Sequence, residues 1–457
     1  MLLAPSPAHF VWLGHPLVFD FGDLNLMTAI AFARKTFLLT ALSAACACAF
    51  AAPNERLTAL AAKEKPALLE TLKEFVSVES GSRDLDGLDK MANLVASKFK
   101  ALGGQVELID VSEGAYRMED TPEKIGKVMR ATFKGTGTKK IMLIAHMDTV
   151  YQIGMSKQQP FRIDGDKAYG LGIADDKQGI AVIAHTVAML RAINFKDYGT
   201  LTVLINGDEE ISSPGARSLI TKLGGEHDVV MSFEGASARD DKLSLATAGI
   251  ASVTLHVTGK ASHAGSAPEA GVNALYELSH QILQMRDMSD PATGLKLNWT
   301  ISRSGTNRNV IPATATAGAD VRVLKVSDYD RIEQQVMERV KNQLIPQAKV
   351  EVKFERRRPP LEATDASRAL ATHAQQIYKD LGKTLGADDK VAGGGTDAAF
   401  AALKTKAAVV ERFGLQGFGA HSMDAEYVLI DSIEPRLYLA TQLIMDISRG
   451  KVTQSAY

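Results

Sequence analysis

Four short apolar runs in this chain each lead into histidine or acidic side chains. Nearly continuous apolar runs of this length are typical of strands that are buried on both faces of an α/β sheet. In such sheets, ligand sites form at the carboxyl ends of the strands. The pattern therefore predicts a polar site along one rim of a sheet. The runs and the residues that follow them are 141–145 with His146 and Asp148, 201–205 with Asp208, Glu209 and Glu210, 229–233 with Glu234, and 409–410 with His421.

The segments around these runs predict one layered α/β domain. Residues 57–75 and 86–102 carry apolar side chains at helical spacing, and a further apolar-rich helix is predicted at about 176–193. The alternation of helices with buried strands is the pattern of an α/β fold. We expect this first domain to cover residues 52–248 and to resume at 363–457.

Residues 249–362 have a different pattern and predict an inserted second domain. The expected order of elements is strand, helix, strand, strand, helix, strand, which is the ferredoxin-like split arrangement. The expected ranges are 249–259, 272–285, 296–303, 313–323, 329–344 and 349–355. An α+β domain is therefore expected between the two parts of the first domain.

The first 51 residues predict a targeting segment that precedes the folded chain. Arg34 and Lys35 stand before an apolar stretch at 36–45 and small residues at 49–51, which together describe a secretory signal peptide. We expect this signal at 27–51, behind an upstream extension, and a mature chain in the periplasm or the medium. Both cysteines lie in the signal, so the mature chain would use neither disulfides nor thiol chemistry. A membrane anchor is the alternative, although the apolar run is short for a bilayer.

The polar residues at the predicted rim have the composition of a metal site. Imidazole and carboxylate ligands without thiolates suit zinc, with cobalt or manganese as close substitutes. The number of ligands fits two ions if Asp175, which precedes the helix at 176–193, bridges them and a water is shared. His146 and Glu234 would complete one site, and His421 and Glu210 would complete the other.

Together these motifs resemble those of the co-catalytic di-zinc metallopeptidases, the family of carboxypeptidase G, aminoacylase, tripeptidase and succinyl-diaminopimelate desuccinylase. The likeness covers residues 56–450 approximately, and it is greatest for the carboxypeptidase G group because of the sequences at 393–399, 417–421 and 425–428. The resemblance implies an α/β fold in which a mixed-sheet di-zinc exopeptidase catalytic domain carries an inserted ferredoxin-like α+β lid. It further implies a homodimer formed through the lid and a cis peptide bond between Asp175 and Asp176.

Chemistry and the family pattern together suggest the roles of two acids near the metal ligands. Glu209 is expected to act as the general base, which takes a proton from the attacking water and passes it to the leaving nitrogen. Asp148 is expected to accept the other imidazole N–H of His146 and so to fix the tautomer of that ring.

Four further roles are implied by the resemblance. His263, in the lid, would reach the active site of a neighbouring subunit and stabilise the oxyanion. Arg358 would bind the substrate's free carboxylate, a task that suits a guanidinium, although the two arginines before it leave the register open. Gly394 and Thr396, in a glycine-rich loop, are expected to bind substrate. The alternative for this loop is a turn before a helix.

The resemblance implies hydrolysis of the amide bond to a C-terminal glutamate, in a substrate of the folate, methotrexate or N-acyl-glutamate type. An N-acyl-amino-acid amidohydrolase or a dipeptidase is the alternative, because the sequence resolves the preferred side chain poorly. A non-catalytic binding protein on the same scaffold is a third interpretation, against which Glu209 and the full set of metal ligands count. The expected partner is a small molecule or short peptide with a free carboxylate. The formal net charge of -1 gives no reason to expect a nucleic acid.

Overall fold

The computed structural model of the protein describes residues 53–391 and 394–452. The predicted extension and signal peptide at 1–51 lie outside the described residues. The strands are β1 (Gln105–Ile109), β2 (Gly126–Lys134), β3 (Lys140–His146), β4 (Arg162–Asp164), β5 (Lys167–Tyr169), β6 (Thr200–Gly207), β7 (Val229–Ser232), β8 (Ala236–Ser237), β9 (Lys242–Ser244), β10 (Gly249–Thr258), β11 (Lys296–Ser304), β12 (Thr314–Val323), β13 (Lys349–Arg358), β14 (Gly386–Asp388), β15 (Ala408–Val410), β16 (Gln416–Phe418) and β17 (Tyr427–Leu429). The helices are α1 (Glu55–Val76), α2 (Leu85–Ala101), α3 (Gln178–Ala192), α4 (Arg217–Glu226), α5 (Ala274–Gln284), α6 (Asp328–Arg339), α7 (Asp365–Asp380), α8 (Ala398–Ala402) and α9 (Ile433–Ser448).

A six-stranded mixed sheet forms the centre of the first domain, with strand order β1-β2-β6-β3-β7-β15. Strands β6, β3, β7 and β15 are parallel to one another, whereas β1 and β2 join at one edge as antiparallel strands. The parallel strands therefore all end at the same rim. This arrangement confirms the predicted α/β class and the predicted rim of strand ends.

Strand β3 shows why its sequence is a continuous apolar run. Alternate side chains of a strand point to opposite faces of the sheet. Ile141 and Leu143 pack into an apolar layer with residues of α1, α3 and α9, whereas Met142 and Ile144 pack into a second layer with residues of α4 and α8. Because helices cover both faces, both sets of side chains must be apolar.

Strands β10 to β13, with helices α5 and α6, form a separate antiparallel sheet of order β11-β12-β10-β13. This is the strand order of a ferredoxin-like unit, so the predicted α+β insertion is confirmed. Two boundaries differ from those expected. Helix α6 ends at Arg339 instead of near residue 344, and β13 continues past residue 355 to Arg358.

The boundaries at 248/249 and 362/363 stay predictions, because the chain from Pro53 onward forms one compact unit. The helix expected at 176–193 begins at Gln178, since Asp175 and Asp176 have non-helical backbone angles. Within the described ranges, no helix combines the length and the apolar character that a membrane crossing requires.

Leu255, at the centre of β10, is fully buried, so a Leu255→Ala variant should be strongly destabilised. Loss of a buried leucine side chain leaves a cavity and costs about 2–5 kcal/mol in the free energy of unfolding. The matched control is Leu344→Ala, because Leu344 of the same domain is 57% exposed. Urea denaturation followed through the fluorescence of Trp299, on β11 of the same sheet, measures both. Equal midpoints for the two variants would contradict the described core.

Candidate metal centre

Five of the predicted site residues converge at the rim where the parallel strands end. His146 is the last residue of β3, and Glu210 lies in a short 3-10 turn, Glu209–Ile211, that follows β6. Glu234 comes two residues after β7, and His421 lies in the loop between β16 and β17. Asp175 lies in the turn before α3, where the peptide bond to Asp176 is cis, as the resemblance implied.

The two histidines face the two carboxylate oxygens of Asp175. His146 Nε2 lies 2.9 Å from Asp175 Oδ1 and 3.6 Å from Glu234 Oε1. On the other side, His421 Nε2 lies 3.2 Å from Asp175 Oδ2 and 3.2 Å from Glu210 Oε2. The residues expected to form each of two metal sites therefore stand together, with Asp175 between them.

Asp176 lies close enough to His146 and Glu234 to form a possible metal-binding group with them, which the sequence interpretation missed. Its carboxylate already accepts hydrogen bonds from Gln178 Nε2 (2.6 Å) and from the backbone N–H of His146 (3.4 Å), and it is fully buried. Asp175, in contrast, lines the cavity and touches both imidazole rings. These contacts indicate that Asp176 holds the turn in place, and Asp175 stays the expected shared ligand.

The charges of this cluster are strongly perturbed. Hydrogen bonds with Asp175 and Glu210 raise the pKa of His421 to about 10. Burial would lower the pKa of His146, but hydrogen bonds to neighbouring carboxylates raise it well above the usual value. Burial raises the pKa of both Glu210 and Glu234. Crowding favours the protonated form of these acids and of the imidazoles beside them. A bound divalent cation would instead stabilise the ionised carboxylates and the neutral imidazoles, which are the forms that bind metal.

Asp148 does more than the predicted contact with His146. His146 Nδ1 lies 3.4 Å from Asp148 Oδ1 and 3.1 Å from the Asp148 backbone carbonyl. The Asp148 carboxylate also accepts the backbone N–H groups of Glu209 and Glu210, each at 3.0 Å, and the Ser82 hydroxyl at 2.8 Å. One buried carboxylate thus orients the turn that carries both the expected base and a metal ligand.

Glu426 plays a similar part on the other side of the site. Its carboxylate accepts backbone N–H groups from Gly172 (2.8 Å), Ala174 (2.8 Å) and Asp175 (3.2 Å), and the Tyr151 hydroxyl at 2.5 Å. Burial raises the pKa of Glu426 to about 7 even with these donors. The sequence motif at 425–428 contained this residue, but the spacing alone gave no sign of its partners.

Arg358 forms an ion pair with Glu209. Its guanidinium also donates to the Glu209 backbone carbonyl at 2.5 Å and to the Gly395 carbonyl at 3.0 Å, and it is 4% exposed. Burial raises the pKa of Glu209 to about 8, against the opposing charge of Arg358. The structure thus brings the expected base and the expected carboxylate-binding arginine into direct contact.

A cavity of about 320 Å³ opens onto the cluster. Gly394 and Thr396 line it together with Asp175, Glu210 and His421. A larger cavity, of about 700 Å³, lies beside Arg217 and contains none of the predicted site residues. The smaller cavity is the candidate substrate site, because four of the five expected metal ligands line it and the fifth, His146, contacts Asp175.

His263 is not brought to this cavity. It lies exposed in the lid, where its Nδ1 accepts the backbone N–H groups of Gly265 (3.2 Å) and Ser266 (3.1 Å). The residue also pairs with Val310 in an isolated bridge. Of the predicted site residues, His263 is the one that the fold of a single chain keeps apart.

Comparisons with known proteins agree with this geometry. Residues 142–446 match the family model described as Peptidase family M20/M25/M40. The chain is 45% identical to Carboxypeptidase G2 of Pseudomonas sp. (strain RS-16) over 429 residues, which cover 92% of this chain and 100% of that protein. It is 30% identical to the acetylornithine deacetylase of Proteus mirabilis over 224 residues, or 47% of this chain and 53% of that one.

Solved structures share the fold. A tripeptidase from Staphylococcus aureus superposes with a TM-score of 0.68 at 20% identity, covering 84% of this chain and 99% of that one. An M20 family metallo-carboxypeptidase from Sulfolobus solfataricus gives a TM-score of 0.65 at 16% identity, covering 82% and 98%. From the family match, the full-length relative and the converging site, it follows that this chain belongs to peptidase family M20/M25/M40.

Proposed function

We propose that the protein is a metal-dependent carboxypeptidase that hydrolyses the amide bond to a C-terminal glutamate. The observation that carries this proposal is the convergence of two imidazole–carboxylate groups on Asp175. Beside them lies the buried Glu209, which pairs with Arg358 instead of with either histidine. The choice of substrate is supported by the 45% identity to Carboxypeptidase G2 along that protein's whole length.

We propose two zinc ions as the resident metals, with cobalt or manganese as substitutes. His146, Glu234, His421 and Glu210 would hold them, and Asp175 would serve both. The donor set fits, because it contains nitrogen and oxygen ligands only, and because Glu210 Oε1 is buried without a hydrogen-bond partner among the described residues. When bound, two such ions lower the pKa of a water and polarise the scissile carbonyl.

Glu209 would take the proton of the attacking water and deliver it to the leaving nitrogen. Its position supports this role, since it lines the cavity while its backbone N–H is fixed by Asp148 at 3.0 Å. Arg358 would hold the Glu209 carboxylate in place in the resting enzyme. The predicted role of Arg358 in binding the substrate's carboxylate requires this ion pair to open. The Nε–H of Arg358 has no hydrogen-bond partner among the described residues.

The remaining roles stay predictions of the same proposal. Gly394 and Thr396 would contact substrate from the cavity wall. His263 would act from a second copy of the chain, in a homodimer formed through the lid, which sedimentation can measure. A secreted or periplasmic location after cleavage near residue 51 would be seen by sequencing the N-terminus of the mature protein.

An N-acyl-amino-acid amidohydrolase or a dipeptidase is the second candidate function. It is favoured by the partial match to an acetylornithine deacetylase, whose reaction releases an acyl group from an amino acid. The metal chemistry and the role of Glu209 would be the same. The two candidates differ only in which side of the amide bond the cavity selects.

A hydrolysis panel of methotrexate, glutamyl dipeptides and N-acetyl amino acids distinguishes the candidates. The zinc-loaded enzyme should release glutamate from methotrexate and from N-acyl-glutamate, with the highest kcat/KM when glutamate is C-terminal. Zinc analysis of the same preparation reports the metal content. Release of acetate from many N-acetyl amino acids with equal kcat/KM would instead identify an amidohydrolase.

Glu209→Gln should lower kcat by at least about 10²-fold, the usual contribution of a general base, while two metals per chain remain bound. The matched control is Glu70→Gln, which changes a solvent-exposed glutamate on α1. Steady-state kinetics and metal analysis of both variants are the measurements. Turnover of the Glu209 variant close to that of the control would remove this residue from the proton transfer.

Removal of the metals should lower the melting temperature. Without cations, the carboxylates of Asp175, Glu210 and Glu234 stand together at the rim and repel one another as they ionise. A ligand present at about 100 times its Kd stabilises the folded state by about 2.7 kcal/mol, so the shift should be readily measured by calorimetry. Zinc added back to the apoprotein should restore the melting temperature, and identical melting curves for the two forms would argue against a metal centre.

A further inference from the structure

Arg412 is the sole lysine or arginine among the described residues that line the 320 Å³ cavity. Four carboxylates line the same cavity, from Asp175, Glu209, Glu210 and Glu234. Two divalent cations would more than balance Asp175, Glu210 and Glu234, and Arg358 pairs with Glu209, yet a substrate that brings two carboxylates of its own needs further positive charge. Arg358 pairs with Glu209 and the Gly395 carbonyl, and in its proposed role it would serve only one of the two substrate carboxylates. Arg412 is placed to supply this charge, because it lies on the cavity wall.

The guanidinium of Arg412 has no hydrogen-bond or ion-pair partner in the part of the chain that the structure describes. Asp240, an acid whose charge interacts with Arg412, forms its ion pair with Lys242 at 2.6 Å. Glu411, the preceding residue, is fully buried and its two carboxylate oxygens make no hydrogen bond among the described residues. The charge of Arg412 also acts on Glu411, but a half-buried arginine without a hydrogen-bond partner among the described residues, on the wall of an acidic cavity, is available for an anionic ligand.

The backbone holds Arg412 firmly in this position. Its φ of 67° lies in the left-handed region, which non-glycine residues adopt at a cost. Its carbonyl accepts Arg436 Nη1 at 2.7 Å, and the same fully buried Arg436 forms an ion pair with Asp241. A strained residue is kept only where its surroundings determine its conformation, so the side chain leaves the backbone from a fixed point on the cavity wall.

We propose that Arg412 binds the side-chain carboxylate of the substrate's C-terminal residue and so makes the enzyme prefer glutamate to a neutral residue. This inference rests on the proposed carboxypeptidase function and specifies its substrate class as dicarboxylic C-terminal residues. A planar guanidinium forms two parallel hydrogen bonds with a carboxylate, whereas the amide of glutamine offers one acceptor and two donors that the guanidinium cannot use.

The test compares N-benzoyl-L-glutamate with N-benzoyl-L-glutamine, which have the same shape but differ in side-chain charge. Arg412→Gln should lower kcat/KM for the glutamate compound by roughly 10- to 100-fold, mainly through KM, because a hydrogen bond to a charged group is lost. The value for the glutamine compound should fall by a smaller factor, since its amide offers the guanidinium only one neutral acceptor. Arg412→Lys should retain part of the preference for glutamate.

Two further variants keep the test decisive. Arg412→Gly suits the left-handed backbone at this position. It should show the same loss of preference for the glutamate compound, even if the Arg412→Gln protein folds poorly. Arg239→Gln is the matched control, because Arg239 is exposed and stacks over Phe418 at the rim, 5.0 Å from the ring centre. An unchanged glutamate-to-glutamine ratio in every Arg412 variant would overturn the inference and leave the proposed function intact. A metal-loaded wild-type enzyme that cleaves neither compound would contradict the proposed function itself.

Discussion

Crowding of negative charge at one sheet rim is the constraint on which the rest of this structure depends. Asp175, Glu210 and Glu234 converge on two imidazoles within hydrogen-bond distance or close to it. Such a cluster is costly in a folded chain unless cations or backbone donors compensate it. Behind the cluster, Asp148 and Glu426 accept backbone N–H groups and thereby fix the turns that carry the expected ligands. The proposed metal ions would compensate the negative charge of the three carboxylates.

The sequence predicted those parts of the molecule that depend on local periodicity. A run such as 141–145 must lie in a strand covered on both faces, because the side chains that point to either face are apolar. Ile141 and Met142 indeed pack into opposite apolar layers. The lid was predictable for the same reason, since its strands alternate and its helices follow a 3.6-residue repeat. The convergence of ligands then followed from topology, because parallel strands end at one rim.

The sequence did not reveal contacts in which a side chain meets a distant backbone group. Glu426 holds the Asp175 turn from 251 residues away, and nothing in the spacing of either segment indicates this. Asp176 resembles a ligand in sequence and in distance, yet its hydrogen bonds to Gln178 and His146 commit it to the turn. The pairing of Arg358 with Glu209 was equally hidden, because it depends on β13 continuing three residues beyond its predicted end. Periodicity fixes which face a residue occupies, but it leaves the partner of a polar atom open.

The geometry of the lid explains why Arg358 and His263 behave so differently. In the ladder between β10 and β13, Arg358 pairs with Ile250 at the end next to the catalytic domain, whereas Lys349 pairs with Thr258 at the other end. The nine-residue rise of β10 spans about 30 Å. Beyond Thr258, Ile311 donates a hydrogen bond to Ser262 and Ala264 donates one to Asn309, and His263 lies between these two bonds. Arg358 at one end of this ladder contacts Glu209, whereas His263 follows the other end of β10 and does not line the cavity. For His263 to act on a substrate at this rim, as proposed, either a second copy of the chain must present it or the lid must move.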